Sequence, residues 1–225
     1  MLLIINHKAN LTYKEIIDYE KNIRKLDLII IPSLCYLPIF KKGKYKLGSQ
    51  DISVFKETNR TGEINGAQLK SLNVKYCLIG HSDRREYNKE ESKCILEKFK
   101  RCNENNIIPL YCIGETSNNY KDELEKQIDL IFSNSSFNEL LIIYEPKYNI
   151  GNINANLINV ETITNEIKSY IKNKYNKSSK IIYGGGVNIN NIKYLKNIKE
   201  LDGLIISSES LNLEELKKIY KEAKK

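Results

Sequence analysis

The sequence contains no tryptophan, one methionine and only two histidines, His7 and His81. Two histidines are too few for the common zinc sites, and the five cysteines form no C-x-x-C pair. Two of the cysteines, Cys77 and Cys112, lie inside apolar runs, as is typical of small core residues in a reducing compartment. We therefore predict no metal site, no cofactor and a cytoplasmic location.

Long apolar runs are also missing, since none approaches the roughly 20 residues that a membrane span needs. The first ten residues, MLLIINHKAN, hold too short an apolar segment for a secretory signal, and no basic region precedes it. The net charge of +8 would suit nucleic acid, but the lysines are spread along every polar face without a block of five or six. We expect no membrane and no nucleic-acid partner, and a basic surface that gathers a small anionic substrate.

Short apolar runs alternate with longer amphipathic ones along the whole chain. The predicted strands are mostly continuous apolar runs, as in strands covered on both faces: Leu2–Asn6, Asp27–Pro32, Lys46–Gln50, Lys75–Gly80, Ile108–Ile113, Leu140–Tyr144, Lys180–Tyr183 and Gly203–Ser207. The predicted helices are Thr12–Arg24, Asn65–Leu72, Glu91–Asn105, Lys121–Phe132, Val160–Tyr175, Ile189–Asn197 and Leu213–Ala223. Only a short turn-like stretch, SLCYLPIFKK, follows the second strand.

Eight strands alternating with helices predict an α/β protein with a parallel sheet, and eight is the number that closes a (β/α)8 TIM barrel. Such barrels typically take about 250 residues, so a chain of 225 would have a trimmed periphery. No linker, low-complexity tract or change of composition divides the chain. We predict a single barrel domain over residues 1–225.

Polar residues follow most of the predicted strands, at the ends where barrel enzymes carry their chemistry. His81 lies where the fourth strand gives way to a helix that begins with Ser82 and Asp83, which are good capping residues. The positive end of a helix disfavours a cationic imidazole, so His81 can stay neutral and donate a hydrogen bond to a developing oxyanion. A structural, hydrogen-bonded histidine is the alternative interpretation. We interpret His7 as a packing residue.

The ordered set of strand-end motifs resembles that of the triosephosphate isomerase family over essentially the whole chain. Any one of these motifs would be weak evidence, but their order on a predicted (β/α)8 pattern is specific. The matching segments are Asn6 and Lys8, the GHSDRR segment around His81, CIGET (Cys112–Thr116), YEPKYNIG (Tyr144–Gly151) and YGGGV (Tyr183–Val187).

The resemblance implies interconversion of dihydroxyacetone phosphate and glyceraldehyde 3-phosphate through an enediolate, without a cofactor. It implies that Glu145 is the base, that His81 is the neutral electrophile and that Lys8 stabilises negative charge. Asn6 would orient the carbonyl, and Asp83 would relay protons or pair with Lys8. A proline follows Glu145 and holds it off a helical path.

The resemblance also implies that the phosphate of a small phosphorylated triose rests on backbone N–H groups. The substrate-binding residues assigned in this way are Asn6, Lys8, Gly151, Gly185, Gly186, Ser207 and Ser208. The segment PKYNIGNINAN (146–156) resembles the family's lid, whose closure excludes water. The long segment 51–68 keeps the TGE of the family's interface loop, which predicts a homodimer.

Four departures from the family pattern affect five positions. Asp83 replaces a glutamate, so its shorter carboxylate has less reach toward Lys8. Ser207 and Ser208 replace two glycines, and serine resists a positive φ. Gly186 replaces a serine that helps to hold the closed lid, and Tyr148 replaces a tryptophan at the lid hinge. These departures predict a working isomerase with a raised KM.

Two alternatives stay open from the sequence. One is another enzyme on the same phosphate-binding barrel, because fold alone does not fix the reaction. The other is a degenerate barrel retained as a binding or scaffold protein, for which Asp83 and the SSES segment (207–210) are the only support.

Overall fold

A computed structural model shows eight parallel strands closed into a barrel in chain order, each strand hydrogen-bonded to the next and the last to the first. The structure describes residues 1–116, 119–134, 139–152 and 154–225. The strands are β1 (Leu2–Asn6), β2 (Ile29–Ile31), β3 (Lys46–Ser49), β4 (Tyr76–Ile79), β5 (Ile108–Ile113), β6 (Glu139–Tyr144), β7 (Ser178–Tyr183) and β8 (Gly203–Ile206). The predicted (β/α)8 architecture is confirmed.

Helices surround this barrel, as expected for strands whose outer faces are apolar. They are α1 (Tyr13–Ile23), α2 (Gly66–Ser71), α3 (Ser82–Tyr87), α4 (Ser92–Glu104), α5 (Tyr120–Phe132), α6 (Val160–Tyr175), α7 (Ile192–Leu195) and α8 (Leu213–Ala223). A 3-10 helix, Leu34–Ile39, stands where the sequence predicted a short turn after β2, and two shorter ones cover Lys147–Asn149 and Ser208–Leu211. Among the described residues, no helix has the length and apolar character to cross a membrane.

Side chains alternate along each strand between two apolar layers, which is the pattern of a filled barrel. On β1, Ile4 belongs to the inner cluster, whereas Leu3 and Ile5 pack outward under the helices. The inner cluster is Ile4, Ile29, Ile31, Leu78, Leu110, Cys112, Ile143, Ile182 and Ile205. Cys77 and Cys112 are both buried, as predicted. Because apolar side chains fill the interior, the functional residues are expected at the rim of the barrel.

The largest difference in element bounds concerns α7, which the sequence predicted over Ile189–Asn197 and which covers Ile192–Leu195. An asparagine turn takes up the first residues of the predicted helix. The side-chain oxygen of Asn188 accepts the N–H groups of Asn190 and Asn191 at 2.9 and 3.3 Å. Asparagine competes with helical hydrogen bonding in this way, so helical periodicity alone placed the start too early.

Candidate active site

Lys8 follows β1 in a left-handed conformation, with φ of +51°, which is uncommon for a residue with a side chain. Three hydrogen bonds hold this turn. Its N–H donates to Oδ1 of Asn6 at 3.0 Å, and its carbonyl oxygen accepts from the side chains of Ser33 and Gln50 at 2.8 and 2.6 Å. Residues after β1, β2 and β3 therefore fix one backbone turn, and this turn aims the ammonium of Lys8 over the rim.

Asn6 serves this turn and is not among the residues that line the central cavity. It is buried, and its Oδ1 is occupied by the N–H of Lys8. The contact of Asn6 in the structure is therefore one that positions Lys8, and its role in orienting the substrate carbonyl stays a prediction.

His81 caps the amino end of α3. Its Nδ1 accepts the backbone N–H of Asp83 at 3.1 Å, so Nδ1 carries no proton and Nε2 is the protonated nitrogen of the neutral ring. A proton added to Nδ1 would remove this hydrogen bond. The cap thus fixes the tautomer that the sequence interpretation requires, with an N–H donor pointing away from the helix.

The shorter carboxylate of Asp83 still reaches Lys8. Its Oδ2 lies 3.0 Å from Nζ of Lys8, although both side chains are partly exposed. The expectation that one missing methylene would weaken this contact is not met, because α3 begins immediately after His81 and brings Asp83 close to the end of β1. The pair holds the Lys8 ammonium on the side of the rim that carries His81.

Glu145 follows β6 and is 8% exposed. Burial raises the pKa of its carboxyl group, against the opposing attraction of His81 and Lys8. Its Oε2 lies 3.4 Å from Nε2 of His81, yet neither atom has a hydrogen-bond partner among the described residues. At 3.4 Å no atom fits between the two. A buried donor and a buried acceptor without partners are costly, however, so both atoms are available to a ligand that binds beside them.

A cavity of about 110 Å³ opens beside Glu145, on the side of the rim formed by the ends of β1, β6, β7 and β8. Such a volume suits a small molecule of a few heavy atoms. The described residues that line it are Lys8, Asn10, Glu145, Ile150, Gly151, Asn152, Gly184, Gly185, Gly186, Val187, Asn188, Ile205, Ser207, Ser208 and Glu209. All five predicted phosphate-binding residues after β6, β7 and β8 are therefore on its wall.

The two serines after β8 are not strained. The expectation that serine would resist a positive φ here does not apply, because Ser207 has φ of −111° and neither serine is among the residues with positive φ. Ser208 begins the 3-10 helix that follows β8. Their backbone can line the cavity without the conformational freedom of glycine.

Gly186, in contrast, needs to be glycine. Its φ is +60°, and a Cβ atom at this position would lie 1.9 Å from the backbone oxygen of Asn152. The segment after β6 thus packs against the turn after β7 so closely that a serine side chain has no room. The family's hydroxyl is thus absent at a position where the backbone of Asn152 takes up the space of a side chain.

His7 lies outside this chemistry, as predicted. It is fully buried, and its ring packs edge-on against Tyr19 with centroids 4.5 Å apart. Burial lowers its pKa to about 4, so it is neutral at physiological pH.

Sequence reasoning missed two residues of this region. Glu209 lines the cavity together with Ser207 and Ser208, which belong to the predicted phosphate site. Asn149, within the predicted lid, is buried. Glu209 belongs to the SSES segment and Asn149 to PKYNIG, but nothing in the spacing of these segments indicates which way either side chain points. Of the lid, 146–156, residue 153 lies outside the described residues.

No cluster of three or more histidine, cysteine, aspartate or glutamate side chains is placed to hold a metal ion within the described ranges. Lys8 is the one cationic side chain among the described residues that line the cavity. The arrangement can transfer a proton and stabilise an oxyanion with protein groups alone.

Comparison with known proteins adds an independent line of evidence. The profile of the family described as triosephosphate isomerase matches residues 1–223, which include every residue of this site. The triosephosphate isomerase of Buchnera aphidicola subsp. Baizongia pistaciae is 39% identical over 216 residues, covering 89% of this chain and 86% of that protein. The triosephosphate isomerase of Mesomycoplasma hyopneumoniae (strain 232) is 34% identical over 238 residues, or 97% of each chain.

Proposed function

Because the chain belongs to the triosephosphate isomerase family, we propose that it interconverts dihydroxyacetone phosphate and D-glyceraldehyde 3-phosphate through an enediolate. The observation that supports the assignment of roles is the juxtaposition of Oε2 of Glu145 and Nε2 of His81, which lie 3.4 Å apart. Both atoms are buried, both lack a partner among the described residues, and Lys8 lines the adjoining cavity.

In the proposed mechanism, the Glu145 carboxylate removes the proton from the carbon next to the substrate carbonyl. The C–H electrons form the carbon–carbon double bond, and the carbonyl oxygen becomes the enediolate oxygen. Nε2–H of His81 donates a hydrogen bond to this oxygen, and the ammonium of Lys8 stabilises its charge. A proton then passes from the hydroxyl of the neighbouring carbon to the enediolate oxygen, with Nε2 of His81 proposed to carry it between the two. Glu145 returns its own proton to the carbon that bore the carbonyl, and the former hydroxyl oxygen becomes the new carbonyl oxygen, which completes the isomerisation.

Two features support Glu145 as the base. Its raised pKa marks a carboxylate that binds a proton more readily than a solvated one, because burial has removed its hydration. Its side chain lines the cavity and lies 3.4 Å from His81, and from this position we propose that it reaches both carbons of a bound triose. Asp83 is proposed to act through Lys8, with which it pairs, and Asn6 through the turn that it holds.

The phosphate is proposed to bind at the end of the cavity formed by Gly185, Gly186, Ser207 and Ser208, with Gly151 above it. Backbone N–H groups in such turns bind phosphate oxygens without needing a charged side chain. Lys8 lines the same cavity as Glu145 and these residues, so we propose that its single ammonium attracts both the phosphate and the enediolate oxygen.

A coupled assay with purified protein tests the proposal, with Glu145→Ala as the blank. Turnover well above that blank is expected, and 2-phosphoglycolate, which resembles the enediolate, should raise the melting temperature. A scaffold protein would bind phosphoglycolate weakly or not at all and show no turnover. Another enzyme on this barrel would bind phosphate compounds but leave the trioses unchanged, so either result would reject the assignment.

Glu209 is expected to weaken substrate binding, because this acidic residue lines the cavity that is proposed to receive the phosphate. We predict that Glu209→Gln lowers the KM roughly two- to tenfold and leaves kcat unchanged, since it removes repulsion of the bound dianion. The effect should shrink as salt is added. Glu214→Gln, an exposed charge at the start of α8, is the control with the same change in net charge. An unchanged KM would show that Glu209 does not face the phosphate.

We propose a homodimer formed through the loop 51–68. Residues 55–63 are all exposed and include the aromatic ring of Phe55, while the backbone bond from Ser53 to Ile64, at 2.9 Å, closes the base of the loop. Gln50, immediately before the loop, contacts Lys8, so an interface here would adjoin the site. Sedimentation is predicted to give a dimer. A monomer with full activity would contradict this prediction.

We also propose that residues 1–225 act as one domain in the cytoplasm. One closed barrel takes strands from both ends of the chain, because β1 pairs with β8. The five cysteines are free thiols, which suits a reducing compartment.

A further inference from the structure

Asn149 connects the two ends of the segment that covers the cavity. It is 1% exposed, although it lies in a loop, and its side chain makes a reciprocal pair of hydrogen bonds with the backbone of Asn156. Nδ2 donates to the carbonyl oxygen of Asn156 at 2.7 Å, and Oδ1 accepts the N–H of Asn156 at 2.9 Å. The amide therefore closes the loop between positions 149 and 156 in the way that a neighbouring strand would.

The same side chain connects the loop to the barrel. Nδ2 of Asn149 also donates to the hydroxyl of Tyr183 at 3.0 Å, and Tyr183 is the last residue of β7. Tyr183 is fully buried and leads directly into Gly184, Gly185 and Gly186. One amide thus makes three hydrogen bonds that join both ends of the loop to the strand that carries the phosphate turn.

The backbone contact at Gly186 shows what this connection holds in place. Asn152, in the middle of the loop, presses its carbonyl oxygen against Gly186 at a distance that leaves no room for a Cβ atom. Gly151, beside Asn152, lines the cavity with Gly186. The loop therefore lies over the phosphate turn in this structure, and Gly186 offers it no side-chain hydroxyl to bond.

We propose that Asn149 is the latch of the lid, the positioning residue that holds the loop 146–156 closed over the bound substrate. This proposal rests on the proposed isomerase function, since it assigns a role within that reaction. The latch hydroxyl that is absent at Gly186 is replaced by an amide that contacts both ends of the loop and Tyr183. Asn149 touches no substrate atom and acts only through the closed loop.

The need to hold the loop follows from the chemistry of the intermediate. An enediolate with a phosphate on the adjacent carbon can break its C–O bond, so that the electron pair leaves with inorganic phosphate and the remaining enol becomes methylglyoxal. This elimination consumes no other reactant. A loop that opens early therefore releases phosphate, and the ratio of phosphate to isomerised product measures how well the loop stays closed.

Two variants separate the bonds of the latch. Asn149→Ala removes all three hydrogen bonds and is expected to weaken 2-phosphoglycolate binding and lower kcat/KM by roughly tenfold, the factor that corresponds to about 1.4 kcal/mol. The phosphate-to-product ratio should rise with it. Tyr183→Phe removes only the bond to the barrel and should shift all three readouts in the same direction but less. In the double variant the hydroxyl has already lost its partner, so the combined effect should equal that of Asn149→Ala.

Asn154→Ala is the matched control, because Asn154 is an exposed asparagine on the same loop. It should leave every readout within about twofold of the parent, as surface substitutions do. If Asn149→Ala lowers only the melting temperature while phosphoglycolate affinity and the phosphate ratio stay constant, Asn149 is structural and the latch is rejected. A parent protein without isomerase activity would instead reject the proposed function.

Discussion

Replacing Glu145 by glutamine is expected to lower kcat by roughly 10²–10⁴-fold, the range that general base catalysis contributes. Glutamine has nearly the same shape as glutamate but no basic oxygen at the position 3.4 Å from Nε2 of His81. The phosphate end of the cavity does not involve this side chain, so the KM should change little. Steady-state assays in both directions measure the two constants separately.

The pH dependence of the parent enzyme provides a second test of Glu145. Burial raises the pKa of this carboxyl, so kcat/KM should fall on the acid side at a pH above the ordinary glutamate range. The substrate phosphate titrates near pH 6, at about the value of a phosphate monoester, and its ionisation has to be subtracted. An acid limb that persists unchanged in Glu145→Gln would show that another group is the base.

Because it is buried, the ionised carboxylate of Glu145 destabilises the folded protein, and this provides a control for misfolding. Its pKa is higher in the folded protein than in the unfolded chain, so the folded state binds the proton more readily. The free energy of unfolding therefore falls as pH rises through the interval between the two pKa values, and the cost is fully present above it. Glu145→Gln should melt at or above the temperature of the parent at neutral pH. An inactive variant that also melts lower would point to damage rather than to a missing base.

The barrel was predictable because the apolar runs and the helical spacing in the sequence indicate the same structure. The predicted bounds of β1 and β5, and of α6 and α8, are the observed ones, since continuous apolar runs and clear helical spacing mark them. The start of α7 was wrong because the Asn188 turn competes with the helix. Local hydrogen bonding of this kind depends on side-chain direction, which periodicity does not contain.

The positions of the site residues were predictable to the same extent, because carboxyl ends of parallel strands meet at one rim. The residues that contact them were not predictable. The φ of +51° at Lys8 depends on Ser33 and Gln50, which follow other strands, and the close approach at Gly186 depends on Asn152. From the sequence, Gly186 was interpreted as the loss of a hydroxyl group. The structure shows that the backbone oxygen of Asn152 lies where a side chain at this position would have to be. Such contacts join residues that are remote in the chain, so no local sequence pattern predicts them.

Replacing Lys8 by methionine is expected to lower kcat/KM by roughly 10²–10³-fold, the effect of removing one charged or dipolar group that stabilises an oxyanion. Methionine keeps most of the length of the side chain and its packing but loses the ammonium that lines the cavity. Because the same charge is proposed to attract the phosphate, KM should rise and kcat should fall together. Phosphoglycolate affinity should fall in parallel, since that ligand carries both negative groups.

Two controls separate the local charge of Lys8 from the general basic surface. Lys41→Met removes the same charge from an exposed position before β3 and should have little effect beyond a small change in association. Asp83→Glu lengthens the partner carboxylate, and because Oδ2 of Asp83 already lies 3.0 Å from Nζ of Lys8, this change should not increase turnover. If Asp83→Glu raised kcat substantially, the shorter carboxylate would be limiting proton transfer itself rather than holding Lys8. If Lys8→Met matched Lys41→Met, the ammonium would act only by attracting substrate from solution, and the local oxyanion role would be wrong.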